Sequence, residues 1–429
     1  MLIRPGFGDI IEGYRLNDGK MEPLQLGIIA ALTPPDVDVE LFDERVEPIP
    51  FDRQADLVAI TVDSITARRA YAISKEFRAR GVPVVLGGMH VTLLPDEASA
   101  HADAIVIGDA EPVWGQVVAD ARTGCMRPVY SGPFGEPQRG IIPRRELFCG
   151  KGYLPVSIVQ FSRGCPFNCS FCAVARFFGN SHLCRQVDAV VREIEHDNLR
   201  FVLFADDNLT ANREAAKGLC RALKPLGIRW ASQVSVDLVQ DTELLELMAE
   251  SGCMGQLIGF DSINPTSLRW MNKAPNLRHL DRYHAAVERL RQFGFQVWAS
   301  FMLGNDYDSR QCIEETVKFA IASKFTLAFF HLLVPYPGTR LYEELRRADR
   351  LLYDGTWWTH PGFRYNTATF IPKQMSPAEL AEITVWANRE FYSARSILSR
   401  TFDTRTNLNS IVKFLLYLRF NILVRDTST

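Results

Sequence analysis

The most informative segment of the chain reads Val156-Ser-Ile-Val-Gln-Phe-Ser-Arg-Gly-Cys-Pro-Phe-Asn-Cys-Ser-Phe-Cys172. Its first residues, Val156–Phe161, have the apolar and β-branched composition of a buried strand. Three cysteines follow that strand, and the spacing between Cys165, Cys169 and Cys172 is three and then two residues. Thiolates are the usual protein ligands of iron–sulfur clusters. The motif therefore predicts three ligands to a [4Fe-4S] cluster whose fourth iron has no protein ligand.

A structural zinc site is the competing interpretation of these cysteines. A closed zinc site takes four ligands. His182 and Cys184 lie nearby, but their spacing fits no zinc pattern, and no second Cys or His pair has matching spacing. The six other cysteines are scattered, and we interpret them as small buried side chains.

Outward from the cysteines, short apolar runs alternate with helical periods. The predicted strands are Val156–Phe161, Phe201–Phe204, Trp230–Val236, Leu257–Phe260, Val297–Leu303 and Leu327–Leu333. The helical patterns between them are Val187–Asp197, Arg213–Leu223, Thr242–Ser251, Leu277–Phe293 and Arg310–Ser323. Six β/α repeats predict a partial (β/α)6 barrel over residues 155–340, with ligands at the C-terminal ends of its strands.

The first part of the chain shows the same alternation. Apolar runs at Leu2–Ile3, Val37–Phe42, Leu57–Thr61, Pro83–Leu86 and Ala104–Ile107 alternate with helical patterns. This order predicts an α/β, doubly wound, Rossmann-like domain over residues 1–125. Residues 126–154 are rich in Gly, Pro and Arg and are interpreted as a linker. Residues 341–429 are predicted to be mostly helical.

Composition limits the function classes. The chain has 429 residues, with 47% hydrophobic and 23% charged residues and a net charge of −2. This charge gives no indication of nucleic-acid binding. The N-terminus MLIRPGFGD has no signal-peptide pattern, so we expect a cytoplasmic protein. Ser410–Val424 is unusually apolar. A terminal helix docked on the barrel is the favoured interpretation, and a membrane partner is not expected, although an in-plane membrane helix is the alternative.

The cysteine motif resembles the CxxxCxxC signature of the radical S-adenosylmethionine (SAM) superfamily. Other segments resemble its subgroup with an N-terminal cobalamin-binding-type domain: Gly87–Glu97, Gly108–Glu111, Asp206–Asn208 and Pro335–Thr339. The resemblance implies a [4Fe-4S] cluster and SAM as cofactors. SAM would chelate the open iron, and one electron would cleave it to methionine and a 5′-deoxyadenosyl radical.

Candidate SAM-binding residues follow the predicted barrel strands. By resemblance, Asp206, Asp207 and Asn208 are assigned to the SAM amino group, and an Asx-rich turn that caps the next helix is the alternative. The remaining candidates are Gln233, Ser235, Asp261, Ser262 and Gly304, of which Gly304 resembles a glycine segment near the adenine. Each of these has a competing structural role, because a barrel interior must be filled.

The sequence leaves cobalamin binding open. Gly87 and Gly88 would allow close approach of a large ring, and Ser64 stands where cobalamin domains often place a serine for the nucleotide tail. Against this, the loop after the second strand has Arg45 and Pro48 where well-known cobalamin domains have the His and Gly of Asp-x-His-x-x-Gly. A fold can persist without its ligand.

The expected activity is hydrogen abstraction from a small-molecule substrate. Radical dehydration of a sugar or aminosugar diol in natural-product biosynthesis is favoured, by analogy with radical SAM diol dehydratases of aminoglycoside pathways. The alternative is cobalamin-dependent methylation, or a lipid- or tetrapyrrole-modifying relative. A non-catalytic iron–sulfur electron carrier is the alternative from another class. A flavodoxin, ferredoxin or dedicated reductase is implied as electron donor. The aromatic set Trp357, Trp358 and Tyr365 is interpreted either as packing of a C-terminal subdomain or as a lid on the barrel.

Overall fold

A computed structural model describes residues 1–11 and 20–427 of the chain. They divide into two units. The N-terminal unit comprises Met1–Val159 together with the segment Thr356–Tyr365, and the barrel unit comprises Gln160–Gly355 and Asn366–Thr429. The segment Thr356–Tyr365 is therefore far in sequence from the rest of its unit. No local sequence pattern predicts that it belongs to the N-terminal unit.

The N-terminal unit contains a parallel six-stranded sheet. Its strands are β1 Leu2–Arg4, β2 Leu41–Asp43, β3 Val58–Thr61, β4 Val84–Gly87, β5 Ala104–Gly108 and β6 Val129–Gly132. Its helices are α1 Leu24–Leu32, α2 Ala67–Ala79, α3 Met89–Leu93, α4 Pro95–Ser99 and α5 Trp114–Thr123. The strand order is β2-β1-β3-β4-β5-β6, and every pair is parallel. The predicted doubly wound fold is confirmed. The strand order reverses between β1 and β3, and ligands of such folds bind at this switch point.

Two details of this unit differ from the predicted elements. The strand β6 lies inside residues 126–154, which were interpreted as a linker, and it pairs with β5 at the edge of the sheet. Its side chains alternate between exposed and buried, so the segment has no continuous apolar run. The strand β2 is shorter than the predicted Val37–Phe42, because a turn in which the Val37 amide donates to the Pro34 carbonyl precedes it.

The core of the N-terminal unit forms between the sheet and its helices. Buried strand residues such as Ala59, Val85 and Val106 pack with Trp114 of α5. The indole of Trp114 donates a hydrogen bond of 2.9 Å to the hydroxyl of Thr33, so its polar atom is satisfied. This core fixes the loops at the C-terminal ends of the strands.

The barrel unit contains the second sheet. Its strands, with the preceding β7, are β7 Ser157–Val159, β8 Ser162–Arg163, β9 Leu183–Cys184, β10 Phe201–Phe204, β11 Arg229–Val234, β12 Cys253–Asp261, β13 Gln296–Leu303 and β14 Leu327–Leu332. The helices are α6 Ala173–Phe178, α7 Val187–His196, α8 Arg213–Leu223, α9 Thr242–Glu250, α10 Pro265–Trp270, α11 Ala274–His279, α12 Tyr283–Gln292, α13 Arg310–Ala322, α14 Arg340–Arg347, α15 Pro377–Phe391, α16 Ala394–Thr401 and α17 Ile411–Thr427.

The sheet order β14-β13-β12-β11-β10-β7 confirms the predicted partial barrel. Strands β10 to β14 pair in parallel, and each is followed or preceded by a helix. The C-terminal region is helical, as predicted. Among residues 1–11 and 20–427, no helix combines the length and apolarity needed to cross a bilayer.

Candidate active site

The three cysteines lie on the loop between β8 and α6. Cys169 is buried, and Cys165 and Cys172 are half-buried. Burial raises the pKa of all three thiols, to about 12 for Cys169. A buried thiolate needs a compensating positive charge, and cluster iron is a group that supplies it.

Hydrogen bonds from outside the loop fix its path. The Ser170 amide donates to the Met271 carbonyl at 2.9 Å, and the Ser170 carbonyl accepts from the Leu341 amide at 2.9 Å. The side-chain amide of Asn272 donates to the Asn168 carbonyl at 2.6 Å. The segment between α10 and α11 thus supports the cysteine loop, although the two are about a hundred residues apart in sequence.

Asp206 anchors the chain that enters this loop. Its carboxylate accepts from the Phe161 amide at 3.2 Å and from both the amide and the hydroxyl of Ser162. The side chain is buried, and burial raises its pKa to about 7 although the hydrogen bonds oppose the shift. Both carboxylate oxygens therefore face backbone and hydroxyl donors of the chain, which favours a positioning role for this residue.

The next two residues lie closer to the thiols. Asp207 accepts a 2.7 Å hydrogen bond from the Gly164 amide, directly before the first cysteine. Burial raises the pKa of this carboxyl. The side-chain amide of Asn208 points at the Cys165 sulfur, 3.8 Å away. Asp207 and Asn208 therefore border the cysteine loop, where the resemblance places SAM.

A lysine that the sequence did not single out lies beside the thiols. Lys273 forms a 2.5 Å ion pair with Asp261, and both side chains are largely buried. Burial by itself lowers the pKa of Lys273, but the charges of Asp261, Cys169 and Cys172 outweigh it and raise the pKa. A cation next to two thiolates stabilises their negative charge.

Asp261 reaches this lysine because of a local irregularity in β12. The register between β12 and β13 shifts at this point, and Asp261 has φ of +62°. Aspartate tolerates the left-handed region better than most residues. The bulge redirects the side chain toward Lys273. No pattern in the sequence predicts such a bulge or the pairing.

The inner face of the barrel is only half-covered. On β13, Ala299 and Phe301 are buried against the helices, whereas Trp298, Ser300 and Met302 alternate with them and are half-buried. Successive strand side chains point to opposite faces, so these three share the inner face. This face is mostly apolar, with one hydroxyl.

Neighbouring strands extend that face. On one side of the sheet, Gln233 of β11 pairs in register with Leu257 of β12. On the other side, β14 pairs with β13 and carries Phe329 and His331 on the same face. The rings of Phe329 and His331 are stacked, with centroids 5.9 Å apart. Gln233 and Asp261 were predicted to face a ligand, whereas the aromatic side chains and His331 were missed, because a strand's inner and outer faces look alike in an apolar run.

Three further predicted residues have local structural partners. The hydroxyl of Ser262 is buried and accepts from the Asn264 amide at 3.0 Å. Ser235 is half-buried before a short helical turn. Gly304 has φ of +100°, and a Cβ there would lie 2.4 Å from Leu380 of α15. Glycine is thus required at this position for packing, and the contacts with SAM predicted for these residues stay predictions.

In the N-terminal unit, the predicted cofactor residues take part in close packing. Gly88 has φ of +108°, and a Cβ there would lie 2.9 Å from the Val62 carbonyl. Gly87 precedes it at the end of β4 and is half-buried. The hydroxyl of Ser64 is buried and lies 3.0 Å from Nδ1 of His90. The Ser64 hydroxyl therefore has a protein partner.

His90 continues this network toward a carboxylate. Its Nε2 lies 3.1 Å from both the Tyr71 hydroxyl and Glu97. The indole of Trp358 donates to both carboxylate oxygens of Glu97, at 3.0 and 3.1 Å. Burial alone raises the pKa of Glu97, but the hydrogen bonds from His90, Trp358 and Tyr71 outweigh it and lower the pKa.

Trp358 belongs to the segment Thr356–Tyr365, which we call the strap. The strap is held further by the Arg68 guanidinium, which donates to the His360 carbonyl at 2.6 Å, and by the Tyr365 amide, which donates to the Ile10 carbonyl at 2.9 Å. The residues that hold the strap follow the C-terminal ends of β1, β3 and β4. Of the predicted aromatic set, Trp357 and Trp358 are therefore buried in the N-terminal unit, whereas Tyr365 is 47% exposed.

The loop after β2 is closed by an ion pair. The guanidinium of Arg45 binds both carboxylate oxygens of Asp43, at 2.9 and 2.5 Å, and donates to the Met21 carbonyl at 2.8 Å. The Tyr153 hydroxyl also donates to Asp43. A guanidinium has no lone pair for a metal, so this residue supplies no cobalt ligand.

Comparisons with known proteins agree with this architecture. Residues 159–320 match the family described as the radical SAM superfamily. The chain is 32% identical to the bacteriochlorophyllide d C-12(1)-methyltransferase of Chlorobaculum tepidum, over 92% of this chain and 88% of that protein. This chain belongs to the radical SAM superfamily. A doubly wound domain precedes its barrel, as in the subgroup with an N-terminal domain of the cobalamin-binding type.

Two further proteins resemble the whole chain. The bacteriochlorophyllide d C-8(2)-methyltransferase of the same organism is 29% identical over 92% of both chains. The solved structure of the radical SAM methyltransferase TsrM from Kitasatospora setae, with cobalamin and a [4Fe-4S] cluster bound, has a TM-score of 0.65 and 19% identity. The match covers 92% of this chain and 85% of that one, and it shows the shared fold. A radical SAM protein uses a [4Fe-4S] cluster and SAM as its cofactors.

Proposed function

We propose that this chain is a cobalamin-dependent radical SAM methyltransferase that acts on carbon. The observation that carries the proposal is the 32% identity to a bacteriochlorophyllide methyltransferase, which runs through nearly all of both chains. A match confined to the barrel would support only the cluster chemistry, which many reactions share. The full-length match extends to the N-terminal unit as well.

The cysteine loop suits a [4Fe-4S] cluster. The three thiols share one short loop, Lys273 compensates negative charge beside two of them, and the loop is fixed by Asp206 and the segment before α11. In the proposal, Cys165, Cys169 and Cys172 are the cluster ligands. The bound cluster would supply the electron that cleaves SAM, and an external flavodoxin, ferredoxin or dedicated reductase would deliver it.

The residues beside the loop have different proposed roles. Asn208, whose amide points toward the Cys165 sulfur, and Asp207 border the place where SAM would bind. Asp206 acts on the reaction indirectly, because it holds the chain at Ser162 in place. Gln233 and Asp261, on the inner face of the barrel, are in a position to orient SAM or substrate polar groups.

The N-terminal unit suits a corrin held without a protein imidazole. The edge of its sheet at β1 and β3 is where ligands of this topology bind. Arg45, paired with Asp43, stands in the loop after β2 where a ligating histidine would be, so this loop would leave the cobalt without a protein ligand. The Val62 backbone fills the space beside Gly88, so in the proposal it is Gly87 that would leave room for the ring. Bound cobalamin would supply a methyl carrier.

Methyl transfer accounts for the relatives better than dehydration does. Diol dehydration, which the sequence favoured by analogy, has no support among these relatives, and the methyltransferase alternative fits both curated proteins. Those two proteins act on bacteriochlorophyllides, which are extended apolar rings. The inner face of the barrel, with Trp298, Met302 and Phe329, would suit a substrate of that class.

The test is turnover under anaerobic conditions with and without cobalamin. The full chain would be reconstituted with iron and sulfide, reduced chemically, and incubated with bacteriochlorophyllide d and SAM that carries a deuterated methyl group. The expected product has gained a deuterated methyl group. 5′-Deoxyadenosine and S-adenosylhomocysteine are expected in equal amounts, because one SAM supplies the radical and another supplies the methyl group.

The omission of cobalamin is the matched control. Loss of S-adenosylhomocysteine and of product in that sample supports the proposal. Loss of water from a substrate, with 5′-deoxyadenosine formed and no need for cobalamin, would contradict methyl transfer. Stoichiometric cobalamin binding without reaction of bacteriochlorophyllide d would contradict only the substrate class.

A further inference from the structure

Helix α17 is docked on the barrel unit by polar groups of its inner face. Asn421 is buried, donates to the Thr326 carbonyl at 3.0 Å and accepts from Arg400 at 2.9 Å. The Tyr417 hydroxyl donates to the Ile397 carbonyl at 2.6 Å. These hydrogen bonds fix which face of the helix points outward.

The outward face of α17 is apolar. Ile411 is 74% exposed and Leu415 is 58% exposed, and Val412 and Ile422 are also exposed. Residues 411, 415 and 422 recur at intervals of four and seven, so they form one face. A surface helix normally buries its apolar residues, whereas α17 exposes four of them beside the exposed Arg419 and Arg425.

The preceding segment adds to this surface. Phe402 is 67% exposed, Leu398 on α16 is 60% exposed, and Leu408 is exposed as well. We call the exposed apolar residues of this region the C-terminal patch: Leu398, Phe402, Leu408, Ile411, Val412, Leu415 and Ile422. Scattered exposed apolar side chains are normal, but a concentration of them in one short region indicates an interaction surface.

The exposed charge around the C-terminal patch is mainly positive. Between residues 394 and 426 the acidic residues are Asp403 and Asp426, and the basic residues are Arg395, Arg400, Arg405, Lys413, Arg419 and Arg425. Arg400 is buried, and Arg405 pairs with Glu288. Asp403 is buried and paired with Arg291. Arg395, Arg419 and Arg425 are exposed. The positive charge is local, because the whole chain has a net charge of −2.

We infer that the C-terminal patch binds the surface of an anionic lipid bilayer, with α17 lying in the plane of the interface. Apolar side chains interspersed with arginines are what such a surface accepts, because the apolar groups enter the acyl boundary and the cations meet lipid phosphates. A second copy of the chain is the less favoured occupant, because a two-fold interface would place this positively charged region opposite the same region of the other copy.

The experiment is flotation of the full chain with vesicles under anaerobic conditions. Two vesicle compositions are compared: phosphatidylcholine mixed with phosphatidylglycerol, and phosphatidylcholine alone. We expect binding to the anionic vesicles that weakens as salt is added. The double substitution Ile411→Glu with Leu415→Glu should reduce the partition coefficient more than tenfold.

The matched control is Val129→Glu with Ile371→Glu. Both residues are exposed and apolar but lie outside the C-terminal patch, so binding should be unchanged. Arg419→Gln should reduce binding about fivefold on anionic vesicles and leave binding to phosphatidylcholine unaffected. Vesicle binding requires no turnover, so the result is independent of the methyl-transfer proposal.

Several outcomes would overturn the inference. Absence of binding to anionic vesicles, or equal binding by the Ile411/Leu415 variant and the control, excludes the bilayer as occupant. A dimer in light scattering that the Ile411/Leu415 variant abolishes, without vesicle binding, assigns the C-terminal patch to a second copy. Circular dichroism of each variant verifies that it is folded.

Discussion

The two parallel sheets of this chain carry different sets of side chains at the C-terminal ends of their strands. At the C-terminal edge of the barrel strands, three thiols share one loop, and the inner face of the barrel is only half-covered. At the corresponding edge of the N-terminal sheet, Ser64, His90 and Glu97 are bonded to one another and to the strap. Ligands are expected at both edges from topology alone. The topology therefore predicts where a ligand site lies. The hydrogen bonds among the side chains decide whether their polar groups can also bind a ligand.

Polar residues have a positioning role in both places. Asp206 in the barrel unit holds the entry to the cysteine loop, and Glu97 in the N-terminal unit holds the strap through Trp358. A buried carboxylate that accepts several hydrogen bonds fixes the segments that donate to it. The comparison predicts that cofactor chemistry is lost by changes at the thiols, whereas changes at such anchors alter stability and local opening.

The largest effect is expected from Cys165→Ala. Removal of one of three thiolates leaves the cluster without a complete ligand set, so we expect loss of bound iron and no detectable 5′-deoxyadenosine. The measurement is iron content, visible absorbance and SAM cleavage after anaerobic reconstitution. Cys184→Ala is the matched control, because this nearby thiol has its contact with His182 instead. A Cys165→Ala protein with full cluster content would contradict the ligand assignment.

The next largest effect is expected from substitution of Lys273, the cation beside the thiols. Lys273→Met removes one partner of a largely buried ion pair and leaves Asp261 uncompensated. We expect a loss of about 3 kcal/mol in the free energy of unfolding of the protein, together with weaker retention of the cluster. Urea unfolding and iron content over time would measure both.

Lys373→Met is the control for Lys273, because Lys373 is a more exposed lysine that pairs with Asp306. Its removal should change stability by less than about 1 kcal/mol. Equal effects of the two substitutions would show that the position of Lys273 beside the thiols has no special importance.

Much of this architecture was predictable because its signals are local. The alternation of apolar runs and helical periods predicted five of the first six strands and the whole second sheet, since each element has its own period. The cysteines were predictable because three ligands lie within eight residues. The strand β6 was missed because only every second side chain of it is buried.

The missed features depend on pairs that are distant in sequence. Lys273 reaches Asp261 only because β12 has a bulge, and Trp358 reaches Glu97 only because the strap returns to the N-terminal unit. Neither residue has a distinctive sequence neighbourhood. Asp206 was assigned to SAM by resemblance, and its hydrogen bonds to Ser162 depend on the relative placement of β10 and the chain after β7.

A smaller effect is expected at the strap of the N-terminal unit. Trp358→Phe retains an aromatic ring but removes the donor to Glu97, so we expect a loss of about 2 kcal/mol and faster hydrogen exchange in Thr356–Tyr365. Trp386→Phe, at an exposed tryptophan of α15, is the control. Unchanged exchange in the strap of the Trp358→Phe protein would show that the hydrogen bonds to Glu97 do not hold it.

The smallest effect lies at the loop after β13, at the open edge of the barrel. Asp308 is buried and accepts from the Gly304 amide at 3.0 Å and from Ser267 at 3.1 Å. Burial raises its pKa to about 6, because it disfavours the charged form more than these hydrogen bonds favour it. Since the pKa of Asp308 is higher in the folded than in the unfolded chain, its contribution to stability is full below about pH 4. That contribution is lost as the pH rises through 6.

The native protein should therefore lose about 1 kcal/mol of stability between pH 5 and pH 7.5 relative to Asp308→Asn, which has no proton to release. Urea unfolding of both proteins at the two pH values measures this difference, and the other titrating groups cancel in the comparison. An identical pH dependence would show that Asp308 is already ionised at pH 5 and that its hydrogen bonds dominate over burial. The barrel edge would then resemble the Glu97 network, where hydrogen bonds outweigh burial and lower the pKa.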